Sequence, residues 1–436
     1  MKFKLSNKTY LLLEWIILFL LGFSQYMSFS LISLLLTLFL GIIMCLVKID
    51  LMLVLLFSAL PFFNLFNGKI GQFSFYYVFI FIFIYKYYFY KNKRISKNKL
   101  LFFIWLFIIR ITSADFKVLI TWSLLILVLI LTYNEDILVR QSKQIIKGIS
   151  VSMIISSAWG YIYLLTGKSI YTVGQVYLNG TITTRFGGLI GDSVFFAQFC
   201  AILIAANLVI CYVDKKNITE NIIFCLLLTI FDLLSYSKTG FLLIGFIYIS
   251  YFIASIYKNA KYKKTVYKSI IITLVIIILV VYLINYVLNH LDNIIIQNYL
   301  LRFTSSDLLT GRNIVSEHYI ELLEGSWKYL FFAMPQSLYS KPFPISSFTE
   351  INTAHNIYLE TICAFGLISS IILFIIILYI LIKRLTKNKN LFSCLPLFVM
   401  VFSGWVLHGH YEFQYYFLIA LALSMLSYND FVKINK

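Results

Sequence analysis

The chain has 436 residues, of which 61% are hydrophobic, 18% aromatic and only 12% charged, with a formal net charge of +18. Soluble domains run at about 45–50% apolar and about 25% charged, so this composition, with a mean hydropathy of +0.89, excludes a water-soluble globular domain and points to a polytopic all-α membrane protein. The basic charge is no nucleic-acid footprint, because it is not gathered on one soluble face.

In chain order, fourteen apolar segments read as membrane spans: 10–23, 26–47, 50–66, 73–90, 100–112, 115–133, 145–165, 189–213, 218–235, 239–257, 267–289, 355–382, 391–407 and 412–428. They make one integral membrane domain over residues 1–436. The first run, Tyr10 to Phe23, lacks a small-residue cleavage site, so no cleavable leader is expected. The six cysteines lie in or at the ends of apolar runs without a CxxC pair and read as small core hydrophobes.

Placing the N-terminus in the cytoplasm and alternating puts most of the 36 lysines and arginines on the cytoplasmic side, in loops such as 86–99, 258–268 and 383–389. That is the positive-inside pattern, and it places both termini in the cytoplasm. Span 100–112 is the weakest, with about a dozen apolar residues where a crossing normally takes ~20. Losing it alone would flip every later basic loop outward. Losing it with a neighbour preserves parity, so the expected count is 12–14 crossings.

The extracytoplasmic side then carries one long polar stretch, residues 290–354. A loop of this length without structure of its own is uncommon, so it is expected to carry structure and function. From Arg312 to Tyr329 the apolar positions Val315, Tyr319, Leu322 and Leu323 recur at helical spacing. Glu317, Glu321 and Glu324 take another face. An amphipathic helix lying at the membrane surface is expected there.

Five polar clusters sit on the same side. Arg185, in Thr183-Thr184-Arg185-Phe186-Gly187-Gly188, is either a cation snorkelling at a helix end or a fork for a phosphate beside a helix N-terminus. Lys238, in Ser237-Lys238-Thr239-Gly240, belongs either to an ordinary turn or to the same anion site. Gly311-Arg312 opens the amphipathic helix, where a cation opposes the helix dipole unless an anion is bound. His355-Asn356 is either a helix cap or, at a wet cavity edge, a general base with its neighbour. His410, in His408-Gly409-His410-Tyr411-Glu412, is either an interfacial anchor or a lining of the acceptor side. No cluster suggests a metal site, and no cofactor is expected.

Arginine before one span, Gly-Arg opening an outer-loop helix and His-Asn entering the next span form an ordered pattern. In Arg185, Thr310-Gly311-Arg312, Ala354-His355-Asn356-Ile357-Tyr358-Leu359-Glu360 and Phe365-Gly366 it resembles the O-antigen ligase and Wzy-type polysaccharide polymerase superfamily. The resemblance covers the second half of the chain. It departs from the family at Glu317-His318, where a tryptophan is common, and at Phe332-Ala333-Met334-Pro335, where the family often has Gly-x-Gly.

The resemblance implies a metal-independent glycosyltransferase at the outer face of a bacterial cytoplasmic membrane. Its donor and acceptor would be oligosaccharide repeats on polyprenyl diphosphate, polymerised for O-antigen or capsule. A flippase and a chain-length regulator of the same pathway are its candidate partners. Arg185 and Arg312 match the family's diphosphate-binding arginines and His355 its base. Asn356, Lys238, Gly311 and His410 are the further substrate-side candidates. A ligase-like transfer to another acceptor is the first alternative. A flippase or other transporter is the second, although such folds usually show internal repeats and none is visible between the halves.

Overall fold

The computed structural model describes residues 6–66, 74–91, 96–111, 115–132, 136–167, 175–178, 181–214, 218–260, 312–339, 343–346, 349–351, 355–388, 391–405 and 413–434, with single positions 113, 289, 297 and 341 between them. Most of expected span 267–289, together with Gly311 and His410, lies outside them.

The described chain is helical, with two small hairpins. The first half holds α1 (Asn7–Tyr26), α2 (Ser30–Leu46), α3 (Ile49–Ser58) running into a 3-10 turn (Leu60–Phe66), α4 (Phe75–Lys91), α5 (Lys97–Ile111), α6 (Phe116–Thr132) and α7 (Asp136–Thr166). A hairpin, β1 (Gln175–Leu178) with β2 (Thr181–Thr184), precedes α8 (Ser193–Val213), α9 (Ile218–Leu234) and α10 (Lys238–Ala260). The outer-loop region holds α11 (Arg312–Glu324), α12 (Trp327–Phe331), α13 (Gln336–Tyr339) and the hairpin β3 (Phe343–Ser346) with β4 (Thr349–Ile351). Then follow α14 (Ile357–Asn388), a 3-10 turn (Leu391–Cys394), α15 (Leu395–Ser403) and α16 (Phe413–Ile434).

Among the described residues five helices are long and apolar enough to cross a membrane: α1, α7, α8, α10 and α14. A sixth is the α3 pair with its 3-10 turn, bent by 75°. That bend falls inside the expected span 50–66, where the apolar run continues unbroken but Pro61 cannot continue the helix of α3. Shorter apolar helices lie in the expected spans 26–47, 73–90, 115–133, 391–407 and 412–428, and α5 and α9 lie in 100–112 and 218–235.

Helix α8 is the axis of the molecule. Its apolar window is 94% buried, and it packs on α7, α9, α10, α15 and α16. The outer helices show large apolar side chains to their surroundings, as at Leu31, Ile42, Leu242 and Ile375. A face of that kind is stable against lipid, not water.

The contacts at helix ends segregate into two sets, one at each end of the bundle. At the basic end Lys86 Nζ of α4 donates to the carbonyls of Met44 (2.9 Å), Val47 (2.9 Å) and Cys45 at the end of α2. Lys143 of α7 pairs with Asp214 at 2.8 Å, and Lys147 pairs with Glu220. These pairs explain why α7 begins about two turns before the expected span 145–165. Its charged first turns have acidic partners at the end of α8 and the start of α9, so they fold as helix instead of loop.

At the opposite end, Asn64 donates to the carbonyl of Ile190 at 2.8 Å, and Tyr163 to that of Gly22 at 3.3 Å. The backbone N–H of Gln336 donates to Ser113 O at 2.7 Å. Helix α5 therefore starts at the basic end with Lys97 and finishes beside the outer loop.

Candidate functional site

Two polar corners lie at the non-basic end, and both rest on α8 and α15. The first is built around Arg185. The chain between β2 and α8 folds back tightly, so that a Cβ on Gly187 would come within 2.5 Å of Gly191 O. A Cβ on Gly160 of α7 would meet Gly188 Cα at 2.6 Å. Glycine is required for that approach. Asp192 then caps α8, its Oδ1 accepting from Val194 N at 2.7 Å and Phe195 N at 3.0 Å. Held by this turn, Arg185 is buried and its Nε donates to Ser235 O at 3.4 Å.

Ser235 belongs to the turn that carries Lys238. Ser237 Oγ accepts from Gly240 N at 3.2 Å, which caps α10. Gly240 leaves room for Asp232, whose Oδ1 would stand 2.5 Å from an added Cβ. Asp232 is buried, with Ser235 Oγ donating to its Oδ1 at 3.4 Å. The structure thus joins Arg185 to the Lys238 turn through Ser235, whose hydroxyl donates to the buried Asp232. The sequence reading passed over that acid. Its only signal was a lone carboxylate inside an apolar span, which is itself a mark of a functional site.

The second corner is the head of α14. His355 is half-buried and has a left-handed backbone, with φ of 46°. For a non-glycine residue this conformation costs of the order of 1–3 kcal/mol, a strain that tends to persist where function requires it. Asn356 Oδ1 caps the helix, accepting from Tyr358 N at 3.0 Å and Leu359 N at 3.3 Å. Its oxygen is thus committed to the cap, and any ligand contact falls to its amide nitrogen. One turn on, Glu360 is buried within electrostatic reach of Tyr319, Tyr415 and Tyr416. Burial, then the proximity of Glu360, pushes the Tyr319 phenol up from its ordinary range.

Helix α11 docks on this corner. Val315, Tyr319 and Leu323 are buried against Met334, Tyr339 and Cys363, while Glu317, Glu321 and Glu324 are exposed. The amphipathic helix is present, but it stops at Glu324 because Gly325 and Ser326 interrupt it before Trp327. Its apolar face packs on the protein. Arg312 is the first residue of α11.

A buried cation that the sequence reading missed lies beneath this corner. Arg110, at the end of α5, is fully buried between the rings of Trp122 and Phe365 and donates to Tyr339 Oη at 3.1 Å. In sequence it reads as the boundary charge of a short span, and its partners come from distant elements.

The two corners are joined through α15. Gln198 of α8 donates to Ser403 at 2.6 Å, and the adjacent Gly404 O accepts from Ile357 N at 2.9 Å. The Arg185 turn and the His355 cap are therefore both anchored to the same pair of helix ends. Among the described residues no three His, Cys, Asp or Glu side chains gather as a metal site. Compared with protein-family models, curated proteins and solved structures, the chain matches none.

Proposed function

We propose that this chain is a multi-pass membrane glycosyltransferase that joins oligosaccharide repeats carried on polyprenyl diphosphate. On this reading it crosses the membrane 12–14 times with both termini in the cytoplasm. The observation that carries the proposal is the head of α14: a strained, half-exposed histidine where a polar loop enters an apolar helix, with the Arg312 helix docked against the same turns. Arg185 and Arg312 would hold the diphosphate, since guanidinium stays protonated and binds phosphate bidentately. A sugar hydroxyl of the acceptor would attack the anomeric carbon of the donor. The bond to the diphosphate breaks, and His355 takes the hydroxyl proton. Fixed positive charge around the leaving group contributes several kcal/mol at such a site, and a positioned base about 10²–10⁴-fold.

Two substitutions of His355 test the base. His355→Asn keeps a side chain that tolerates the left-handed backbone, and His355→Ala removes the ring outright. Both are expected to insert normally while single lipid-linked repeats accumulate and long polymer disappears. Normal polymer from His355→Asn would exclude the histidine as base. Arg185→Lys and Arg312→Lys keep the charge but lose the fork, and each is expected to abolish most polymer. Extension that continues in chelator supports a metal-independent reaction, and strict dependence on a divalent ion overturns it. Transfer to a single foreign acceptor without chain growth would favour the ligase-like alternative.

A transporter reading draws on a different observation. Glu14 is fully buried in α1, close to Ser58 at the end of α3, where the chain bends. Buried acids and broken helices are common in transport paths. Glu14→Gln that abolishes flipping of a lipid-linked repeat while polymerisation persists would favour it.

A further inference from the structure

The outer-loop region carries an apolar segment that the protein does not cover. Helix α12 and the residue after it expose Trp327 (71%), Phe331 and Phe332 (60%), with Lys328 exposed among them. Helix α12 buries none of its own residues. Leaving large apolar side chains in water is unfavourable, so this segment calls for an apolar environment.

Helix α14 serves as a depth gauge. At the basic end Lys383 lies 5.6 Å over the Tyr379 ring, one turn up, so its ammonium does not reach away from the membrane. It marks the edge of the hydrocarbon there. A hydrocarbon core of about 30 Å takes ~20 helical residues at about 1.5 Å each. Counted from Lys383 along the unbroken part of the helix, Gly366 lies 17 residues and about 25 Å away, so the far edge falls about one turn beyond Gly366. Any tilt of the helix moves that edge still further along the chain. Cys363 O accepts a hydrogen bond of 2.8 Å from Met334 N, which ties the segment after α12 to the head of α14. At Gly366 the helix breaks with φ of 75° and ψ of 162°, and Ser370 Oγ donates to Thr361 O, nine residues back, at 3.0 Å, so the stretch before Gly366 folds over. A Cβ on Gly366 would stand 2.4 Å from Phe331 O and 2.8 Å from Phe332 C. The backbone of Phe331 and Phe332 thus sits about one turn inside the edge.

We infer that the segment Trp327–Phe332 is immersed in the leaflet at the non-basic end, with Phe331 and Phe332 in hydrocarbon and Trp327 with Lys328 at the headgroup level. The stretch 290–354 is therefore not wholly outside the membrane. Among the described residues of that stretch, the bilayer contact is assigned to α12 and not to the apolar face of α11, which packs on the protein. Tryptophan and lysine at one level are the usual composition of an interface belt. This inference stands on the membrane-spanning reading of the chain and is independent of glycan transfer.

The test is a depth measurement on the full-length protein in a Cys45→Ala background, since Cys45 is the one exposed cysteine among those described. Single cysteines from Phe332→Cys, Trp327→Cys, Ile371→Cys and Glu317→Cys are labelled with bimane. The protein is reconstituted in phosphatidylethanolamine–phosphatidylglycerol vesicles. Phe332→Cys is expected to be quenched several-fold more by lipid carrying a nitroxide on its acyl chain than by aqueous iodide, as Ile371→Cys is. Glu317→Cys should show the reverse. Trp327→Cys, on a helix without buried residues, supplies a readout should Phe332→Cys fail to fold. Iodide quenching of the α12 positions equal to that of Glu317→Cys would overturn the inference. Protection from both quenchers would overturn it too, since a second copy or another protein would then cover the patch.

Discussion

Burying a guanidinium completely is tolerated only where polar and aromatic groups replace its water. Arg110 meets that condition with Tyr339, Ser113, Trp122 and Phe365. Its bond to Tyr339 ties the outer loop to the helical body. Tyr339→Phe removes only the acceptor hydroxyl, and a hydrogen bond to a charged group contributes about 1.5–3 kcal/mol. We expect that loss as a lower thermal midpoint in detergent, and an unchanged midpoint would show that the bond contributes nothing. Gly366 makes a second residue-scale case. Gly366→Ala would force a Cβ to within 2.4 Å of Phe331 O at φ of 75°. Backbone strain of this kind costs about 1–3 kcal/mol. Displacement of Phe331 should follow, seen as faster proteolysis between α11 and α14 in intact vesicles. Proteolysis at the wild-type rate would show that the kink absorbs the methyl group.

At the scale of elements, α5 is the most exposed to question. Its 15 residues span only about 22 Å at the helical rise, less than the hydrocarbon thickness. Yet Lys97 lies at the basic end, and Arg110 and Ser113 bond to the outer loop. A membrane-impermeant maleimide should therefore label Asp115→Cys from outside intact cells, and labelling only after permeabilisation would show that α5 does not cross. Hydropathy made most helices legible, because each is a run of apolar residues between charges. It could not show the bend at Leu60–Phe66, since composition is the same on both sides of it. It also read the start of α7 as loop, because the acids that neutralise Lys143 and Lys147 lie on α8 and α9. The same limit applies at the site. Arg185 and His355 stood out as polar residues beside glycine or asparagine at span ends. Arg110, Asp232 and Glu360 did not, since what marks them is burial among partners far along the chain.

For the whole molecule, the segregation of contacts into a basic end and an opposite end matches the alternation expected from charge. The proposed orientation, with the basic end in the cytoplasm, rests on the positive-inside rule and is open to a direct test. In a Cys45→Ala background, Glu317→Cys on α11 should react from outside, and Arg140→Cys on α7 only after permeabilisation. Both positions are exposed. The reverse result would invert the molecule, place the His355 corner on the cytoplasmic side and overturn the proposed outer-face reaction.

The Lys86 contact at the basic end bears on how the protein is made. Helix α2 ends with carbonyls that have no following turn to receive them, and these are taken up by an ammonium from α4. That ammonium is synthesised about forty residues later. Until it emerges from the ribosome, the end of α2 must borrow donors from water or headgroups at the membrane surface. The end of α2 is therefore completed only once α4 is in place beside it.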